Sequence, residues 1–201
     1  MHILEKVLLP PPSTPSTPVS LYNLSEINTD DLREALRDQV DYDYGLVDNG
    51  TTSYPAEMVD GVRIQESKLL DNALEIKEVI QECINDYTNR LGLCKLQIDT
   101  SWFNKTNKGG RLELHRHEGS VISGGFYPFP QGEVSPLLFR NPILPYKMNE
   151  TFQNDTPYAN MFYEVYPYEG LLILFPSWLE HKTDKEIGNR FVVSFNTKYA
   201  I

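Results

Sequence analysis

Apolar positions change their spacing partway along the chain. Across 69–92, "LLDNALEIKEVIQECINDYTNRLG", residues Ile76, Val79, Ile80, Cys83, Ile84, Tyr87 and Leu91 recur every three or four positions. That spacing predicts an amphipathic helix packed on a sheet, and Gly92 is a natural stop. A shorter helix is predicted over 29–40, "TDDLREALRDQV", with Thr29 as cap and Asp30 and Asp31 in its first turn. After Gly92 the period falls to two. The segments "CKLQIDTSWFN", "RLELHRH", "VISGGFYPF", "PLLF", "GLLILF" and "RFVVSFNTK" read as strands, with Gly, Pro, Asn and Asp between them. Two helices ahead of several short strands predict a mainly β protein, an antiparallel sandwich or barrel with N-terminal helices.

The remaining stretches are connectors. Residues 10–18, "PPPSTPSTP", predict an extended arm. Residues 41–65 read as turns and loop. Residues 140–169 form a long Pro-, Asn- and Tyr-rich insertion, of the kind expected of an active-site lid. The expected organisation is one structural domain: an arm over 1–20, a helical support over 21–95 and a β core over 96–201.

The chain has 201 residues, a net charge of −10 and 40 % hydrophobic residues. An acidic balance without a basic run disfavours nucleic acid as a partner, because that affinity rests on cationic contacts. No apolar run approaches the roughly 20 residues that span a bilayer, and the start lacks a signal-peptide core. A cytoplasmic protein is expected. Cys83 falls on the apolar helix face, and reduced, unpaired thiols are expected for both Cys83 and Cys94.

The candidate chemistry lies in the histidines. Of four, His2 is terminal and reads as uninvolved, while His115 and His117 stand in "ELHRHEGS". On a strand, residues two apart project from one face. Two adjacent imidazoles can share a divalent metal but need a third ligand. His181, just past the apolar run "EGLLILFPSWLEH", is the credible one. Nine residues on, Arg190 opens "RFVVSFNTK". An inward arginine is costly unless it meets an anion, and its fork suits a carboxylate. A metal cluster beside such an arginine describes a site for a chelating acid. Trp178, Phe126, Phe175 and Tyr127 are candidate cavity walls.

Four blocks, "SWFN" (101–104), "HRHEGSVISGGFY" (115–127), "EGLLILFPSWLEH" (169–181) and "RFVVSFN" (190–196), resemble the Fe(II)/2-oxoglutarate-dependent oxygenases in order and spacing. More narrowly, they resemble the 2-oxoglutarate oxygenases of marine bacteria and bacteriophages, cyanophages among them. The resemblance implies a double-stranded β-helix, a jelly-roll or cupin-like barrel. It implies Fe(II) held at one mouth of the barrel by His115, His117 and His181, with 2-oxoglutarate and O2 as co-substrates. It implies that Arg190 binds the far carboxylate of 2-oxoglutarate, with Ser194, Asn196, Tyr127 and Asn104 as further co-substrate contacts. The superfamily's usual triad has a carboxylate where this chain has His117. Glu118 and Glu113 are therefore alternative ligands. A cupin site would carry a glutamate four residues after His117, where Val121 stands. Zinc would also suit three histidines and a water.

The activity so implied is hydroxylation of a small molecule or a peptide, including a free or peptidyl amino acid. Expected location is the cytoplasm, the host's if the protein is viral. Oligomeric state stays open, a homodimer included. The alternative from a different class is a noncatalytic jelly roll, for binding or structure, such as a virion component that keeps the fold.

Overall fold

A computed structural model describes residues 17–43, 46–54, 58–59, 62–63, 67–147, 150–151, 153–154 and 159–200. The arm up to residue 16 and His2 lie outside these.

The chain runs β1 (Ser20–Asn23), α1 (Asp30–Arg37), β2 (Val47–Thr52), β3 (Met58–Val59), β4 (Val62–Arg63), α2 (Leu74–Leu91), β5 (Leu96–Leu112), β6 (Ile122–Tyr127), β7 (Leu137–Arg140), β8 (Phe162–Val165), β9 (Leu171–Pro176), β10 (His181–Thr183) and β11 (Arg190–Tyr199). Short 3-10 turns precede α2, at Leu69–Asn72, and follow β7, at Leu144–Lys147. The main sheet has the order β1-β9-β6-β11-β5-β2 with antiparallel pairing. Its outer strands β1 and β2 come from before residue 96. A second sheet has the order β10-β7-β8. Mainly β with antiparallel sheets is the fold class the alternation predicts, and the two-sheet jelly roll is the arrangement the family resemblance implies.

The main sheet buries both faces. On one, Phe103, Phe126, Leu172, Leu174, Val193 and Phe195 pack with Ile76, Ile80, Cys83, Ile84 and Tyr87 of α2. Each such side chain contributes roughly 1.5–3 kcal/mol on burial. On the other, Tyr127, Ile173, Phe175 and Val192 meet Leu137 and Phe139 of the second sheet. Strict alternation along β11 produces this split: Val193 and Phe195 go to the helices, and Arg190, Val192, Ser194 and Asn196 go to the space between the sheets.

α2 matches its period, with the exception of Leu91, which is exposed. Gly92 ends it at φ 67°, the left-handed conformation that glycine adopts without a Cβ clash. α1 is shorter than 29–40, and Thr29 makes no side-chain cap. Asn28 takes that role, its Oδ1 accepting from Asp30 N at 3.0 Å. Asp31 serves the other helix instead, Oδ2 accepting from Glu75 N at 2.9 Å across 44 residues. Ala73, at the start of α2, has no side chain able to cap it.

Two strand expectations need correction. β5 continues to Leu112 through "KTNKGG", where turn residues predicted an end, because β2 and β11 flank it and supply ladder partners. "RLELHRH" is not a strand of its own: its first two residues finish β5, and His115 forms a single bridge with His181. The segment 140–169 contains β8, paired with β7, and none of its described residues lines the cavity below. Its proposed role as a lid gains no support among them.

Candidate metal centre

His115 and His181 exchange both backbone hydrogen bonds. His115 N donates to His181 O at 3.0 Å, and His181 N donates to His115 O at 2.9 Å. His117 N donates to Ser177 O at 2.9 Å, in the turn after β9. The histidine loop is thus stitched to the strand end that carries His181. The three rings converge through these bridges, not through alternation along a strand. Their potential ligand nitrogens all lie within 4.8 Å of one another.

Local carbonyls orient two of the rings. His115 Nδ1 lies 2.8 Å from Glu113 O, and His181 Nδ1 lies 2.9 Å from Leu179 O. A proton on each Nδ1 satisfies that carbonyl and leaves the Nε2 lone pair for a ligand. His117 Nε2 and His181 Nε2 are 3.3 Å apart, with their rings parallel to within 5°. Two nitrogens at about 2.1 Å from one metal would be separated by about 3.0–3.4 Å for angles of 90–110°. Phe175 packs edge-on against His181 at 4.8 Å between centroids, and His181 is fully buried.

Burial also sets protonation. Desolvation lowers the pKa of all three rings, with the neighbouring histidines adding to the effect on His117 and His181. For His117 the result is about 3. Neutral imidazole, the ligand form, is therefore favoured. Neither alternative carboxylate joins the cluster. Glu118 Oε1 accepts from Arg116 at 2.9 Å, and Glu113 Oε1 accepts from Arg111 at 2.7 Å, both at the surface.

The cluster opens on a cavity of about 480 Å³ that contains residues of both sheets. Arg190, Tyr127, Ser194, Asn196 and Asn104 all line it, as does Phe175. Phe126 and Trp178 do not: Phe126 points into the core beneath α2, and Trp178 is 54 % exposed on the turn before β10. Period-two alternation separates Phe126 from Tyr127, and Trp178 sits where the chain leaves its strand. Trp102, from "SWFN", is a wall residue, its ring tilted against that of Tyr54 at 4.8 Å between centroids. Tyr54 carries no signal in the sequence, since it comes from the loop after β2.

Arg190 is buried and already engaged. Its Nε donates to Glu186 Oε1 at 2.6 Å, Nη1 to the Tyr127 hydroxyl at 3.2 Å, and Nη2 to Ser135 O. Glu186 is the anion that pays for its burial, a partner the sequence reasoning missed although it lies one helical-looking step, four residues, before Arg190.

Residues 100–196, from β5 to β11, match the sequence model of a family described as "Putative 2OG-Fe(II) oxygenase". Among solved structures the fold is similar to an oxidoreductase of the 2OG-Fe(II) oxygenase family from Burkholderia pseudomallei (TM-score 0.59, 10 % identity, 90 % of this chain and 84 % of that one). The likeness is one of fold, a two-sheet barrel shared with 2OG-Fe(II) oxygenases. It is also similar to HygX from Streptomyces hygroscopicus, solved with nickel and 2-oxoglutarate (TM-score 0.57, 10 % identity, 92 % and 84 % covered). A third similar structure is a Pseudomonas putida prolyl-4-hydroxylase (TM-score 0.55, 12 % identity, 91 % and 93 % covered). No curated protein matches the chain by sequence.

The matched segment, the similar folds and the histidine cluster support an Fe(II)/2-oxoglutarate-dependent dioxygenase, with Fe(II) and 2-oxoglutarate as cofactors and O2 as the oxidant that the matched family implies. The donor set fits the metal: three neutral imidazoles, two with fixed Nδ1 partners, converge within a partly apolar pocket.

Proposed function

We propose that His115, His117 and His181 hold Fe(II), that Arg190 binds the far carboxylate of 2-oxoglutarate, and that the enzyme hydroxylates a free or peptidyl amino acid or another small molecule. The convergence of one ring nitrogen from each of the three histidines on the cavity that Arg190 lines is the observation that carries this. When bound, iron, 2-oxoglutarate and O2 together supply the oxidation: one oxygen atom enters a substrate C–H bond, the other enters succinate, and CO2 is lost.

The chain's own residues supply placement. Glu113 O and Leu179 O fix the tautomers of His115 and His181. Burial keeps the rings unprotonated and available. Three of the five N–H groups of Arg190 go to Glu186, Tyr127 and Ser135, which leaves two for a carboxylate. Ser194 and Asn104, hydrogen-bonded at 3.2 Å, give the cavity wall a polar patch, and Asn196 is held by Ser123 at 2.7 Å. Phe175, Val192 and Trp102 exclude water beside them.

Substrate class rests on likeness. HygX has been solved with hygromycin B, and a Trichoplax adhaerens prolyl hydroxylase with a hypoxia inducible factor peptide fragment. The net charge of −10 argues against nucleic acid. No described helix is long and apolar enough to cross a membrane. A cytoplasmic site of action, and kinship with the marine-bacterial and phage enzymes, belong to the same proposal and rest on the four sequence blocks. The test is succinate formation from 2-oxoglutarate under air with Fe(II), across amino acids and proline- or lysine-containing peptides. Turnover that is lost in His115→Ala and His181→Ala supports the proposal; a noncatalytic barrel would form no succinate with any of them.

A further inference from the structure

Glu186 lies in the loop between β10 and β11, and its side chain is 0 % exposed. Every group on it has a partner. Oε1 accepts from Arg190 Nε at 2.6 Å, and Oε2 accepts from Ser135 N at 3.0 Å. Its backbone N donates to Gly110 O at 2.7 Å, and its O accepts from Gly109 N at 2.8 Å. The carboxylate therefore ties the loop before β7 to the start of β11, while the backbone of the same residue fastens it to the far end of β5. Ser135 is bound twice, since its hydroxyl also donates to Lys185 O at 2.8 Å, and its own carbonyl accepts from Arg190 Nη2.

One consequence follows for the guanidinium. Nε is held by Glu186, and Nη2 is held by the carbonyl of the residue whose amide Glu186 also holds. The plane of the fork is thereby fixed at two corners, with Tyr127 on the third nitrogen. A planar, preorganised fork loses less freedom when a carboxylate docks. A buried ion pair is a weak source of net stability, because desolvation offsets most of the attraction. Orientation is what this pair provides.

We infer that Glu186 is a positioning residue for co-substrate: it sets the Arg190 fork so that its remaining N–H groups meet the far carboxylate of 2-oxoglutarate. This rests on the role proposed for Arg190. It also fixes a sign. If Glu186 only neutralised Arg190, removing its charge would leave a stronger cationic site and tighter binding of the dianion. If it positions the fork, removal weakens binding.

Glu186→Gln is the sharp variant. An amide has one acceptor and one donor end, so either Arg190 Nε or Ser135 N loses its partner in both amide orientations. The experiment is calorimetric binding of 2-oxoglutarate to protein loaded with Ni(II), a metal that does not start turnover, with Ni(II) affinity measured separately. The expected result is 2-oxoglutarate affinity about tenfold weaker in E186Q, the loss of roughly one charge-assisted bond, with Ni(II) affinity unchanged. Equal or tighter 2-oxoglutarate binding overturns the inference and leaves the proposed function standing. Wild-type protein that takes up Ni(II) but not 2-oxoglutarate overturns both. Should E186Q fail to fold, Glu186→Asp decides: it keeps the charge and shortens the reach by one methylene. Weaker 2-oxoglutarate binding at normal Ni(II) affinity in E186D supports positioning, and wild-type binding overturns it.

Discussion

Gly124 and Gly125 are neighbours on β6 with opposite surroundings, and alanine at each tests the two-faced sheet. A Cβ on Gly124 would lie 2.8 Å from both Cε atoms of Phe195 and closer still to its Cζ. Phe195 is 0 % exposed and directly opposite Gly124 in the ladder, so the ring cannot retreat without disturbing the layer beneath α2. Overpacking of this kind costs about 1–3 kcal/mol, and a fully enclosed ring calls for the upper end, about 3 kcal/mol. Loss of glycine's unfolded-state freedom returns about 0.5–1 kcal/mol, for a net of about 2 kcal/mol. In a chain of this size that corresponds to a melting temperature lower by about 4–8 °C. A Cβ on Gly125 meets Val192 Cγ2 at 3.3 Å and Tyr127 Cε2 at 4.0 Å, both side-chain atoms. Gly125→Ala should melt within about 2 °C of wild type, since a site with room adds little strain, yet narrow the cavity and weaken 2-oxoglutarate binding. Thermal melts of both variants, followed by circular dichroism, provide the comparison. A Gly124→Ala protein as stable as wild type, or a Gly125→Ala protein destabilised as much as the roughly 4–8 °C expected of Gly124→Ala, would refute the assignment of faces.

Three further outcomes follow. Burial raises the Cys83 thiol to about 12 while Cys94 is exposed, so iodoacetamide at pH 8 should add one label, on Cys94, to native protein and two after denaturation, as read by mass spectrometry. Replacing Asp31 with alanine removes the acceptor for Glu75 N and should cost about 1 kcal/mol, the usual value of a helix cap, seen as a lower urea midpoint with unchanged slope. The three site histidines have folded pKa values below the ordinary 6.5, so the unfolded chain binds more protons on acidification. Metal-free protein should therefore lose stability as pH falls from about 6.5 toward the His117 value of about 3, and a His117→Ala variant should show a shallower slope between pH 7 and 5; equal slopes would contradict the burial argument.

Much of this was legible in the chain because period and burial agree. α2 followed from Ile76, Ile80, Cys83, Ile84 and Tyr87, and its end from Gly92. β6, β7, β9 and β11 followed from alternation bounded by turn residues. The histidine pair and His181 could be named because few other residues suit a metal, and the structure brings all three together. What failed to show depends on long-range partners. β5 runs through a turn-like sequence since neighbours on both sides hold it. His115 and His117 converge through backbone bonds to His181 and Ser177, separations of about 60 residues that no local pattern encodes. Glu186 looks like an ordinary loop acid until the fold buries it against Arg190. The cavity walls were half right for a similar reason: alternation distinguishes Phe126 from Tyr127 only once the cavity face is known.

The central claim is that one cluster of three histidines and one arginine hold iron and 2-oxoglutarate in the same cavity. Anaerobic titration of the metal-free protein with Fe(II) and then 2-oxoglutarate tests it most directly, by the visible charge-transfer absorption of a chelated 2-oxoacid. The account predicts a band that saturates at one Fe(II) per chain, is absent in His181→Ala, and needs more 2-oxoglutarate in Arg190→Met. Wild-type protein that takes up Fe(II) and gives no band with 2-oxoglutarate, or a band that survives loss of His181, would contradict it.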